Sequence, residues 1–130
     1  MTAVAGVLID TSVWVDHFRH HNGALVALLG LDMAWTHPMV VAELACGTPP
    51  APRRRTLGDM EQLQQVQQAT LPEVMVLIER EKLHGLGCGL VDLVLLASTR
   101  ITPGAVLWTL DKRLAGLAAR LGVLHQPVSH

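Results

Sequence analysis

The sequence predicts an α/β fold, rich in helix, with a short parallel sheet covered by helices, on three observations. Short apolar runs without alternation, Val4 to Ile9 and Ala105 to Trp108, end at polar clusters and read as strands buried on both faces. Stretches with helical spacing separate such runs, and parallel neighbours require crossovers of that kind. A length of 130 residues, 50% of them hydrophobic and 16% charged, gives one compact domain over 1–130 and is not the composition of a disordered chain.

The elements follow in order. Val4 to Ile9 forms the first strand and stops at Asp10-Thr11-Ser12, a polar trio suited to capping a helix from about Ser12 to Arg19. Ala24 to Leu31 is a second helical stretch, and Met33 to Thr36 a short strand. Pro38 suits the first position of a helix reaching Cys46, and Gly47-Thr48-Pro49-Pro50-Ala51-Pro52 is the strongest loop signal in the chain. Leu57, Met60, Leu63 and Val66 recur at helical spacing, which predicts an amphipathic helix over Arg53 to Gln67. Val74, Leu77 and Ile78 predict another after Pro72. His84 to Gly89 is a glycine-rich breaker, and Leu90 to Thr99 is almost wholly apolar and therefore central. Ala105 to Trp108 is a strand, Asp111 to Gly122 an amphipathic helix, and Val123-Leu124 the start of a last short strand.

Ten basic residues against eleven acidic ones leave a formal charge of −1, so no overall positive field exists to hold a duplex, and any nucleic-acid contact is local. With the 11 glycines counted, roughly 58% of the residues are apolar, above the usual 45–50%, which suggests apolar surface kept for a partner. Cys46 and Cys88 lack metal-ligand spacing and read as small core residues in a reducing cytoplasm. No secretory signal or membrane span is expected, because the first apolar run is cut off by Asp10. The first strand is not followed by a glycine-rich phosphate loop, which excludes nucleotide binding of the P-loop or Rossmann kind.

Four acids stand in apolar surroundings, where a carboxylate is costly unless compensated. Asp10 ends Val7-Leu8-Ile9, Glu43 sits within Val40-Val41-Ala42-Glu43-Leu44-Ala45, Asp92 within Leu90-Val91-Asp92-Leu93-Val94, and Asp111 follows Val106 to Leu110. Asp10 and Asp111 lie just past the carboxyl ends of strands, where open α/β sheets place their ligands. Glu43 and Asp92 are on helices whose early positions point toward the same crevice. Taken singly, Asp10 and Asp111 read equally as helix N-caps, Asp92 as a first-turn acid, and Glu43 as an ion-pair partner, for example of Arg100. Taken together, four carboxylates in one cleft repel one another, and Mg²⁺ or Mn²⁺ is the natural remedy.

These segments resemble a PIN domain of the VapC toxin type from bacterial toxin–antitoxin systems. Asp10-Thr11-Ser12-Val13-Trp14 is similar to the family's opening motif, and Val41-Ala42-Glu43-Leu44-Ala45-Cys46-Gly47 to its second acid. Gly89-Leu90-Val91-Asp92-Leu93-Val94-Leu95-Leu96-Ala97 is similar to its third, and Leu107-Trp108-Thr109-Leu110-Asp111-Lys112-Arg113-Leu114 to its closing segment. The resemblance implies a three-layer α/β/α sandwich and a metal-dependent endoribonuclease in which Asp10, Glu43, Asp92 and Asp111 hold Mg²⁺ or Mn²⁺, with Asp10 and Asp92 the firmest ligands. It also implies a cognate antitoxin and a homodimer. Ser12 and Thr109 are expected to orient the attacking water or a carboxylate. Lys112 and Arg113 stand where some members carry further acids, which leaves the second metal position open.

Other features carry weaker expectations. Arg53-Arg54-Arg55 opposes the helix dipole at the start of its helix, so the cluster reads either as a phosphate contact for RNA or as a solvated face. Asp16 reads as facing the site or solvent. His17, His20 and His21 read as an exposed cluster rather than a metal site, and Trp14, Trp35 and Trp108 as core or interface. Two other functions share these residues: a non-catalytic module binding RNA or an antitoxin, and a metal-dependent phosphohydrolase of small phosphate esters.

Overall fold

The computed structural model describes residues 3–127. Its order is β1 (Gly6–Ile9), α1 (Thr11–His20), α2 (Gly23–Gly30), β2 (Ala34–Trp35), α3 (Pro38–Ala45), α4 (Arg53–Glu61), α5 (Leu71–Glu81), α6 (Leu90–Ile101), β3 (Ala105–Trp108) and α7 (Lys112–Arg120). The three strands form one parallel sheet in the order β2-β1-β3, flanked by helices, as the α/β reading expects.

β1 is the central strand. Val7 pairs with Ala34 on one side and with Val106 on the other, and all four residues of β1 are buried. A strand covered on both faces has no use for alternation, which explains its continuous apolar run. Gly6 has a specific reason to be glycine: a Cβ there would lie 2.0–2.5 Å from three atoms of the Trp35 indole. The Trp35 ring thus lies against the bare backbone of its neighbouring strand.

α6 packs on β3 and carries α5 and α7 as further neighbours, while α1, α3 and α4 form a second packed group. Seven consecutive residues of α6, Leu93 to Thr99, are buried. The two hydroxyls in that run are satisfied: Ser98 Oγ accepts from the Ala69 N–H, and Thr99 Oγ1 donates to the Leu95 carbonyl.

Four boundaries differ from expectation. Val4 and Ala5 are exposed and precede β1, because the Ala5 N–H pairs with the Gly104 carbonyl in a loop. The helix begun at Arg53 stops at Glu61, and residues 64–66 pair with Thr36 at the sheet edge. There Thr36 donates to the Gln64 carbonyl and accepts from the Val66 N–H, so tertiary pairing overrides the helical spacing of Leu63 and Val66. α5 begins at Leu71, one residue before Pro72, because Thr70 and Glu73 form a reciprocal capping box. Val123-Leu124 contributes an isolated bridge, Leu107 to Leu124, rather than a strand.

The cysteines are a further correction. Cys46 is exposed at the C-cap of α3 and is not a core residue, whereas Cys88, in the loop before α6, is partly buried against the core. Trp14 and Trp108 are in the core, and Trp35 is partly buried against it.

Candidate functional site

β1 and β3 are adjacent and parallel, so their carboxyl ends open at the same edge of the sheet. Asp10 directly follows β1, and Thr109 and Asp111 follow β3. The Asp10 N–H donates to the Trp108 carbonyl at 2.9 Å, which extends the ladder by one step and brings the two segments together.

Asp10 occupies the N-cap position of α1, yet its side chain makes no capping bond. Its buried carboxylate, 5% exposed, instead accepts two hydroxyl hydrogen bonds on Oδ2, from Ser12 at 2.6 Å and Thr109 at 2.7 Å. Both hydroxyls are themselves fixed by backbone donors: Ser12 Oγ accepts from the Leu110 N–H at 3.0 Å, and Thr109 Oγ1 from the Asp111 N–H at 3.1 Å. A buried carboxylate diverted from capping and held by two oriented hydroxyls has a defined rotamer.

Asp111 does cap its helix. Its Oδ1 accepts from the Arg113 and Leu114 N–H groups at 2.8 and 3.1 Å. The capping reading is therefore correct for Asp111, and it leaves Oδ2 outside the cap. Glu43 is exposed on α3, and its Oε1 accepts from Thr11 Oγ1 at 2.6 Å. Arg100 does not pair with it: among the described residues the ion pair within 4.0 Å is Arg80–Glu81. Thr11 was not singled out from the sequence, although it lies inside the polar trio that was.

Asp92 lies in the first turn of α6, half-buried. Burial holds its carboxyl above the ordinary carboxylate value; Asp10 adds to the rise, a Gly89 backbone hydrogen bond opposes it, and Asp111 and Glu43 add further. Each of the other three acids thus acts electrostatically on Asp92. Among the described residues no three His, Cys, Asp or Glu side chains are gathered closely enough to hold a metal ion by themselves.

Other sequence-selected residues lie elsewhere. The Arg53 guanidinium donates to the carbonyls of Gly47 and Ala45 at the end of α3, a favourable place for a cation on the helix dipole. That bond explains a basic residue at the unfavourable start of α4, while Arg54 and Arg55 are exposed. Asp16 accepts from the Asn22 side chain, and His17 Nδ1 from the Asn22 backbone, so both brace the α1–α2 turn. Burial, with the neighbouring His21, lowers the His17 pKa against a smaller opposing effect of Asp16. His37 was missed: it is buried after β2, and its Nδ1 accepts from the Met39 N–H and caps α3.

Comparison with known proteins gives the family. Residues 7–120 match the PIN domain family. Two curated relatives from Mycobacterium tuberculosis, from strains CDC 1551 / Oshkosh and H37Rv, both carry the name Ribonuclease VapC32. Each is 44% identical over 117 residues, covering 90% of this chain and 94% of the relative.

Proposed function

Because the chain belongs to the PIN-domain family and is of its VapC type, we propose that it is a metal-dependent endoribonuclease and the toxin of a toxin–antitoxin pair. The observation that carries this reading is that Asp10 and Asp111 stand past the carboxyl ends of the paired strands β1 and β3 and that Asp10, Asp111 and Glu43 all act electrostatically on the half-buried Asp92, with no paired cation among the described residues. Carboxylate oxygens are donors for hard divalent ions, so the residues fit Mg²⁺ or Mn²⁺. Asp10 and Asp92 would be the principal ligands, with Glu43 and Asp111 completing the set. When bound, such an ion offsets the mutual repulsion and activates water for in-line attack on a phosphodiester.

The chain's own residues supply position. Ser12 and Thr109 fix Oδ2 of Asp10, Thr11 fixes one oxygen of Glu43, and the α7 cap fixes one oxygen of Asp111. Each carboxylate keeps a second oxygen outside these bonds, and a prearranged set of that kind spares reorganisation during the reaction. Arg54 and Arg55, on the helix packed against the one bearing Glu43, would add local phosphate contacts that the net charge of −1 does not supply.

The remaining features of the reading are a single domain over 1–130, a cytoplasmic location, a homodimer and a protein antitoxin. Exposed Leu71, Met75, Val76 and Leu90 offer apolar surface for such contacts. No helix among the described residues is long and apolar enough to cross a membrane.

The test is cleavage of purified total RNA by antitoxin-free protein in Mg²⁺, Mn²⁺ or EDTA, beside Asp10→Asn. Discrete products that need metal and vanish in the variant are expected. Folded protein that cleaves no RNA under either metal would overturn the reading in favour of a binding module, and hydrolysis of a small phosphodiester alone in favour of a phosphohydrolase.

A further inference from the structure

Three glycines at 85, 87 and 89 precede α6, and the middle one is shaped by a side chain from another element. An alanine Cβ at Gly87 would lie 2.8 Å from both Cδ and Nη1 of Arg113 and 3.1 Å from its Cζ. The Arg113 side chain therefore lies directly over the backbone of this loop. Gly87 has φ +89, a conformation other residues rarely adopt, so the seat needs glycine twice over.

The seat adjoins the carboxylate cleft. Burial pushes the thiol of the neighbouring Cys88 up; Asp92 and then Asp111 push it further, and Arg113 pulls it down. Two of the acids and the guanidinium thus all act electrostatically on one sulfur. Arg113 also touches one of the acids through its backbone, whose N–H donates to Asp111 Oδ1 in the α7 cap. Yet its guanidinium has no hydrogen-bond or ion-pair partner among the described residues. By contrast, Arg53 and Arg120 spend theirs on backbone carbonyls, and Arg80 stands beside Glu81.

We infer that Arg113 is the phosphate clamp of this site: its guanidinium, seated over Gly87 at the rim of the cleft, takes a phosphate of the RNA strand beside the bond to be cut. A cleft lined with four carboxylates repels a polyanion, and a planar, permanently charged fork beside it is the group suited to hold a phosphate with two hydrogen bonds. The position that replaces a further acid with Arg113 then has a use in substrate binding. This inference rests on the ribonuclease reading above.

The test uses full-length protein in an Asp10→Asn background with Mg²⁺, so that RNA is bound and not consumed. Fluorescence anisotropy of an end-labelled, mixed-sequence single-stranded RNA is followed against salt. Arg113→Ala is expected to weaken binding about tenfold at low salt, the lower end for a charge-assisted contact, and to make the log–log salt slope shallower by about 0.7. Arg113→Lys should restore the slope and part of the affinity, which a purely structural role would not produce. Gly87→Ala keeps the charge but occupies its seat, so it should weaken binding when Arg113 is present and add nothing to Arg113→Ala. Unchanged affinity and slope in Arg113→Ala, with a parent that binds, overturn the clamp and leave the ribonuclease reading standing. A shift in Mn²⁺ half-saturation with RNA binding untouched also overturns it, in favour of an internal counter-ion. A folded parent without salt-dependent RNA binding overturns both.

Discussion

Replacing Thr109 by valine keeps the shape of a side chain that is 6% exposed and deletes the hydroxyl that Asp10 Oδ2 accepts at 2.7 Å. A hydrogen bond to a charged group contributes about 1.5–3 kcal/mol, and Asp10, at 5% exposure, has little access to replacement water. The Asp111 N–H also loses its acceptor, but Asp111 is exposed and water can substitute there. A loss of about 2 kcal/mol is therefore expected. With an unfolding entropy of about 2.1 cal/mol/K per residue, this lowers the midpoint by about 7 °C for 130 residues. Thr99→Val is the internal control: its side chain, also buried, donates to the Leu95 carbonyl inside a helix, a neutral bond whose loss costs about 1 kcal/mol or less. Thermal unfolding of both variants, together with RNA cleavage rates, makes the comparison. Thr109→Val should also lose at least about tenfold in turnover, because a freed carboxylate misplaces whatever it holds. A midpoint shift no larger than that of Thr99→Val, with turnover intact, would refute the claim that Thr109 positions Asp10. Because Ser12 bonds the same oxygen, Ser12→Ala combined with Thr109→Val should be non-additive.

Three further outcomes are expected. Burial holds the His37 imidazole below its ordinary value of 6.5, and its neutral Nδ1 caps α3. The unfolded chain therefore binds more protons below about pH 6.5, so this contribution is complete above that pH and is lost as pH falls through the lower folded value. His37→Asn retains a capping oxygen and should flatten the acid limb of stability against pH, leaving a residual slope from His17 and His125; superimposable curves would refute it. Gly6→Ala should cost about 3 kcal/mol or more by urea unfolding, since its Cβ meets the Trp35 ring, and a neutral result would contradict that packing. Arg53→Ala should lower stability by about 1 kcal/mol with an unchanged RNA salt slope, whereas Arg54→Ala and Arg55→Ala should weaken RNA binding at low salt. Equal salt slopes in all three would remove the cluster from the RNA footprint.

What could be read from the sequence was what depends on local pattern. β3 was read to the residue, and β1 was shortened only where Val4 and Ala5 leave the ladder. Glu43 and Asp92 stood out as isolated charges in apolar runs, and Asp10 and Asp111 as the acids that follow apolar strands. What escaped reading was tertiary. Leu63 and Val66 continue the helical spacing, but Gln64 and Val66 find hydrogen bonds with Thr36 just past β2, which no window of the sequence contains. Which oxygen each carboxylate spends was equally hidden: Asp10 and Asp111 occupy the same kind of capping position, and only contact with Ser12 and Thr109 separates the one that caps from the one that does not. The seat of Arg113 joins two segments 26 positions apart in the chain, as the numbering of Gly87 and Arg113 shows, and no spacing rule links them.

The central claim is that these carboxylates form a divalent-ion site, and it is tested most directly by the unfolding midpoint of wild type and Asp92→Asn in EDTA and in saturating Mn²⁺ or Mg²⁺. Burial and three neighbouring acids penalise the Asp92 charge, so Asp92→Asn should match or exceed wild type in EDTA. The divalent ion should raise the wild-type midpoint and leave Asp92→Asn almost unmoved. A wild-type midpoint insensitive to either ion, or an Asp92→Asn response equal to that of wild type, would contradict the claim.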